Sequence, residues 1–124
     1  MREELEQTGK TGRPLEFLAA HAERMPSVRK GDLRAGDWVV IVTKNSVYSL
    51  CVVEGGAFSV AGGWFDRHGL SPLKIGVNGC TFGGHAIKTD LVAAPGLFLE
   101  FDNRVTTTCI REARVIRGNE AVAH

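Results

Sequence analysis

Beyond residue 36 the chain never sustains a helical period. It breaks instead into β-rich runs of about five to eight residues, each stopped by glycines, Asn-Ser or Ala-Pro-Gly. The clearest runs are 37–44 (DWVVIVTK) and 47–54 (VYSLCVVE), and Asn45-Ser46 between them supplies the turn chemistry of a hairpin. The first arm is apolar on both faces. In the second, Tyr48, Leu50 and Val52 share one face, and Val47, Ser49, Cys51 and Val53 share the other. Gly55-Gly56 turns the chain into residues 57–61, and an irregular stretch fills 62–72. Short segments then follow at 73–77, 85–93, 97–101 and 104–110, with a Gly-rich turn (NGCTFGG) at 78–84. Residues 111–117 fit a strand through Val115 and Ile116, or a helical end through their Glu and Arg residues.

This punctuation predicts an all-β fold of short antiparallel strands. A small, strongly bent barrel of SH3-like or OB-like type fits a segment of roughly 80 residues. The 15 glycines among 124 residues are about 12%, against a usual level of roughly 7%. Gly62-Gly63 and Gly83-Gly84 are candidate barrel corners, where the missing Cβ lets a strand bend. No long helical pattern alternates with the strands, which argues against a parallel α/β sheet.

The first 36 residues read differently. Residues 1–14 are polar and are expected to be a flexible tail. Leu15, Leu18, Ala19, Ala22 and Met25 recur at helical spacing, with Pro14 before them and Pro26 after, so 15–25 is predicted to be a short helix. A helix of that length is marginal alone, and it must dock on the rest of the protein or on a partner. Residues 26–35 then form a polar linker, 36–117 the β-barrel domain, and 118–124 a flexible C-terminus. Residues 1–6 carry three acids and no apolar core of an export signal, which points to the cytoplasm. The strongly apolar run 38–42 is far below the roughly 20 residues of a membrane span, so no membrane association is expected.

GDWVVIVTKNSVYSL (36–50), the glycine pair at 62–63, CTFGGHAIK (80–88), LFLEF (97–101) and VTTT (105–108) carry a resemblance. Together they resemble a group of small bacterial all-β proteins sharing a GD-x-V…T-[RK]-N-S-x-Y opening, Gly-Gly turns and a late TT strand. The likeness runs over about residues 34–117. It implies a bacterial source and a compact β domain, and it implies no activity and no catalytic residue.

Candidate chemistry falls in three places. Cys51, Cys80, Cys109, His68 and His85 are metal-ligand types, but zinc ligands come as close pairs such as C-x₂-C, and none exists here. With reduced thiols expected, Cys51 and Cys109 read as buried packing within strands and Cys80, beside Asn78-Gly79, as the most exposed thiol. Cys80 with His85 also has the residue types of a small Cys/His enzyme, though no family signature surrounds them. No phosphate loop or dinucleotide fingerprint occurs, and no cofactor is expected.

The third place is the 62–72 loop. Trp64, Phe65, Arg67 and His68 put two aromatics and two cationic types into five residues flanked by glycines. Trp and Arg anchor protein interfaces, and aromatics also stack on single-stranded bases. The same aromatics equally fit a plug for the end of the barrel. Charge bears on the partner. The chain has 15 Lys+Arg and 14 Asp+Glu, and residues 31–124 hold nine of each. A neutral domain lacks the excess positive charge that nucleic-acid affinity draws on. The expectation is therefore a non-catalytic binding or assembly module, for a protein partner or a second copy, acting through Trp64, Phe65, Arg67 and His68. A Cys/His enzyme and a nucleic-acid-binding barrel are the alternatives. Removing residues 1–13, which lack an apolar stripe, is expected to move the melting temperature by no more than a few degrees; calorimetry of the shortened chain checks this.

Overall fold

A computed structural model of the chain describes residues 23–82 and 86–118, with side chains from residue 26. Its strands run in the order β1 (Glu23–Met25), β2 (Val28–Arg29), β3 (Trp38–Thr43), β4 (Val47–Val52) and β5 (Phe58–Gly62). A five-residue helix, α1 (Gly63–Arg67), follows, and then β6 (Leu73–Ile75), β7 (Val77–Thr81), β8 (Ile87–Lys88), β9 (Leu91–Ala93), β10 (Phe98–Phe101) and β11 (Ile110–Ile116). All pairings are antiparallel. The described strands form a six-stranded sheet, β1-β11-β3-β4-β5-β6, a three-stranded sheet, β10-β7-β8, and the pair β2-β9. The fold is mostly β, as the punctuated sequence predicts.

Hairpin β3–β4 is the centre of the large sheet. Val39 faces Leu50 and Ile41 faces Tyr48, so the alternation of each arm delivers one apolar row to the same side. That row joins Val60 and Phe58 of β5, and Ala113 and Val115 of β11. Against it pack Leu99 and Phe101 of β10, Cys80 of β7 and Val92 of β9, in one continuous core. The turn sits one residue earlier than the Asn45-Ser46 chemistry implied. Thr43 N donates to Ser46 O at 2.8 Å and Ser46 N donates to Thr43 Oγ1 at 3.0 Å, leaving Lys44 and Asn45 at the tip.

Several expected elements moved. Residues 15–22 of the predicted helix, like the tail 1–14 and residues 119–124, lie outside the described residues. Its last three residues, Glu23–Met25, are a strand paired with β11, because an open sheet edge satisfies backbone groups that a fraying helical end leaves free. The linker 26–35 holds β2 and a 3-10 turn at Lys30–Asp32. Residues 104–109 are irregular, bridging only at Glu100↔Thr106, and the last strand occupies Ile110–Ile116 instead. Asn78-Gly79, expected as a turn, lies inside β7. Gly79 has φ +143°, and a Cβ there would collide with the Lys88 carbonyl oxygen, so this glycine serves close strand contact rather than reversal.

Asp37, the one charged side chain buried among the described residues, clasps the segment before β3 to the end of β11. Its carboxylate accepts from Arg34 N at 2.9 Å, Gly118 N at 2.8 Å and the Arg117 guanidinium at 3.0 Å. Arg117 also donates to Asp32 O at 2.8 Å, tying the start of β3 to the end of β11. Burial alone would raise the Asp37 pKa; the backbone bonds from Gly118 and Arg34 and the Arg117 charge outweigh it and hold the value below the ordinary 3.8. Because the folded pKa is depressed, the clasp contributes above the unfolded value and is lost as pH falls through the folded one. Asp37→Asn is expected to cost about 1.5–3 kcal/mol at pH 7, the range for hydrogen bonds to a charged group. Denaturant unfolding across pH should show the gap to the parent closing below the ordinary carboxylate value of 3.8.

Candidate functional site

Gly62 and Gly63 make the sharp exit from β5. Their φ angles are +102° and +46°, a region that L side chains avoid. A Cβ on Gly62 would run into the Val47 carbonyl oxygen, and one on Gly63 into the Tyr48 ring. Both glycines are thus required for α1 to sit directly on β4. Asp66 Oδ1 accepts from Gly62 N at 3.0 Å, and the Tyr48 hydroxyl accepts from Trp64 N at 3.2 Å. These two bonds serve backbone donors that so short a helix cannot satisfy internally.

Seated this way, α1 turns one aromatic inward and keeps one at the rim. Phe65 is fully buried, edge-on to Phe101 at 4.9 Å and to Tyr48 at 6.3 Å between ring centroids. It is a core residue, so its place among the expected recognition residues is corrected. Small domains need every large apolar side chain for packing, and the inward turn of the helix gives it that position. Trp64 is half-buried, edge-on to Phe65 at 5.2 Å. His68 stacks on the indole with centroids 4.0 Å apart and planes 22° apart. Its Nδ1 lies 2.8 Å from the Trp64 carbonyl oxygen, a contact that requires the Nδ1–H form.

Trp64, Arg67 and His68 therefore come together at the surface as expected, without Phe65. Arg67 and His68 are exposed, and so is Leu70 just beyond the helix, at 42%. Arg67 also donates to Ser46 Oγ at 3.2 Å, across 21 positions of sequence. The sequence reading missed that the Asn-Ser-x-Tyr stretch holds this loop: Ser46 positions the guanidinium and Tyr48 the helix start. Behind Ser46, Thr108 Oγ1 donates to Thr43 Oγ1 at 2.9 Å and accepts from Asn45 N at 3.2 Å, linking the hairpin tip to the late Thr-Thr segment. The motif quoted at 43–48 and the one at 105–108 are thus neighbours in space.

The thiols are distributed against expectation. Cys80 is fully buried, and burial pushes its pKa up to about 12. A protonated, water-excluded thiol is a poor nucleophile, and its proposed partner His85 lies outside the described residues. Cys51 and Cys109, expected to be buried, are half-exposed. Both differences follow from strand placement. Cys80 lies inside β7, the middle strand of its sheet, whereas Cys109 precedes β11 and Cys51 points away from the core. Among the described residues no three His, Cys, Asp or Glu side chains converge as a metal site would require. A half-open cavity of about 320 Å³ lies elsewhere, between Lys30, Leu33, Val52, Glu54 and Phe58. The ammonium of Lys30 is already engaged there, donating to Val77 O at 2.7 Å.

No family model, no curated protein and no solved structure matches this chain. The case for a function rests on the geometry around α1. Phe65→Ala is expected to destabilise the protein by about 3–5 kcal/mol, the range for emptying a buried aromatic site, as read by denaturant unfolding.

Proposed function

We propose that this is a non-catalytic binding or assembly module whose recognition surface is the outer side of α1, formed by Trp64, Arg67, His68 and Leu70. The observation that carries this reading is the Trp64–His68 stack on the same short helix whose Arg67 guanidinium donates to Ser46. An indole and a guanidinium fixed in place before contact lose little side-chain entropy on binding, which is the property of interface anchors. The seat beneath them is rigid, because α1 is pinned by two glycines and by Phe65. Equal numbers of acids and bases over 31–124 favour a protein surface over nucleic acid as the partner.

The same reading takes the two larger sheets as parts of one strongly bent barrel of SH3-like or OB-like kind. Its support is the single shared core, the register shifts in β10 and β11, and the bonds Gly96 N to Ile110 O and Ile110 N to Leu97 O that join the ends of those strands.

A second copy of the chain is the partner to test first. Sedimentation velocity over a concentration series should show reversible association of the parent. An Arg67→Glu/His68→Ala double variant should lose it with a melting temperature lowered by only a few degrees, since both side chains are exposed. Association undiminished in that variant would refute the surface assignment. Salt-dependent binding of mixed oligonucleotides by the parent, abolished in the variant, would move the partner class to nucleic acid.

A further inference from the structure

The inner apolar rows of the six-stranded sheet run out half-covered at β6. Pairing lines up Val39, Leu50, Val60 and Leu73 across β3, β4, β5 and β6. A second row holds Val52, Phe58 and Ile75. Val39, Leu50 and Val60 are fully buried and Phe58 is only 3% exposed, whereas Leu73 and Ile75 at the ends of the rows are half-buried. Both still pack against the common core. Cross-strand neighbours cover an inner side chain from either side, and β6, the last strand of its sheet, has such a neighbour on one side only.

The backbone of β6 is open along the same edge. Among the described residues Leu73, Lys74 and Ile75 pair with β5, and no backbone hydrogen bond reaches them from the other side. An antiparallel strand turns the N–H and C=O of alternate residues to each edge, so about 10 Å of edge is free to pair. The open stretch stops at Gly76, whose carbonyl oxygen accepts from Asp102 N at 3.0 Å.

We infer that β6 takes an extended segment of a different protein as an added strand, and that this segment reads apolar, acidic, apolar. Its backbone pairs with the open edge, and its two apolar side chains cover Leu73 and Ile75 on the inner face. The acid between them falls on the outer face, opposite Lys74. That lysine is exposed, and its neighbour on β5 is Ser59 rather than an acid, so the sheet leaves the opposite-charge position to the incoming strand. Lys74 also decides against a second copy. Two β6 edges joined about a two-fold axis at Lys74 would set one ammonium against the other, and like charges directly opposite are destabilising. Arg67 and His68 take no part in this edge, so it and the α1 surface are tested separately.

The probe is a dye-labelled synthetic peptide of alternating valine and threonine with one central glutamate in place of a threonine. Fluorescence anisotropy against the full chain should show saturable binding, about threefold or more tighter than for the same peptide with lysine at the centre. Lys74→Glu should reverse that order and still fold, because the side chain is exposed. Should it fail to fold, Lys74→Gln replaces it and should bring the two peptides to equal affinity. The glutamate peptide N-methylated along its backbone cannot donate to the edge and should bind about tenfold more weakly or worse. Amide exchange followed by NMR should slow within residues 73–75 when the peptide is bound, and stay unchanged in α1. No saturable binding of the glutamate peptide, equal binding of its N-methylated form, or a charge preference untouched at Lys74 would each overturn the inference. Binding that leaves 73–75 unprotected and is lost in the Arg67→Glu/His68→Ala variant would overturn it too, by moving the peptide to the α1 surface.

Discussion

Burial on both faces of β3 governs the layout of the molecule, since Val39 and Ile41 point into the main core while Val40, between them, is buried on the opposite side. A strand apolar on both faces cannot sit at a surface or at a sheet edge without exposing one row. It therefore occupies the interior of the six-stranded sheet, flanked by β4 and β11. Everything on the inner side, from Leu99 and Phe101 to the inward ring of Phe65, is the second layer that its inner row demands.

Around α1 the backbone decides what the side chains do. Gly62 and Gly63 let the helix approach β4 to a distance that excludes any Cβ, and this approach pushes Phe65 between Tyr48 and Phe101. Once Phe65 is committed inward, Trp64 is left at the rim and Arg67 and His68 outside it. A surface organised by a core residue beneath it is stiff, and stiffness lowers the entropic cost of recognition. The hydroxyls of Ser46, Thr43 and Thr108 extend that support from the loop across the hairpin tip to the segment before β11.

Electrostatics enters mainly as a fastener. The molecule carries balanced charge, and the ion pair Arg29–Asp90 is largely exposed, so it contributes little. Asp37 differs because its carboxylate is enclosed and takes three hydrogen bonds from residues 34, 117 and 118. It joins the entry of the central strand to the exit of the last one, which limits fraying at that junction. Gly36 and Gly118 make that junction possible: a Cβ on Gly118 would strike the Gly36 backbone.

The sequence by itself determined the fold class, the central hairpin and the location of the α1 loop. These are local properties: a period of two, turn residues between arms, and a glycine pair before aromatics. It also marked β3 as apolar on both faces. Only the tertiary structure decided which aromatic of the Trp-Phe pair became core, because both are large and apolar and helix phase, not composition, chose Phe65. Likewise Asn78-Gly79 carries the same turn signal as a hairpin tip. The passage of Lys88 and Thr89 over Gly79 made it a strand and buried Cys80 with it. The partnership of Ser46 and Arg67 had no local signal at all, since side chains 21 positions apart meet only after the sheet and α1 are folded together.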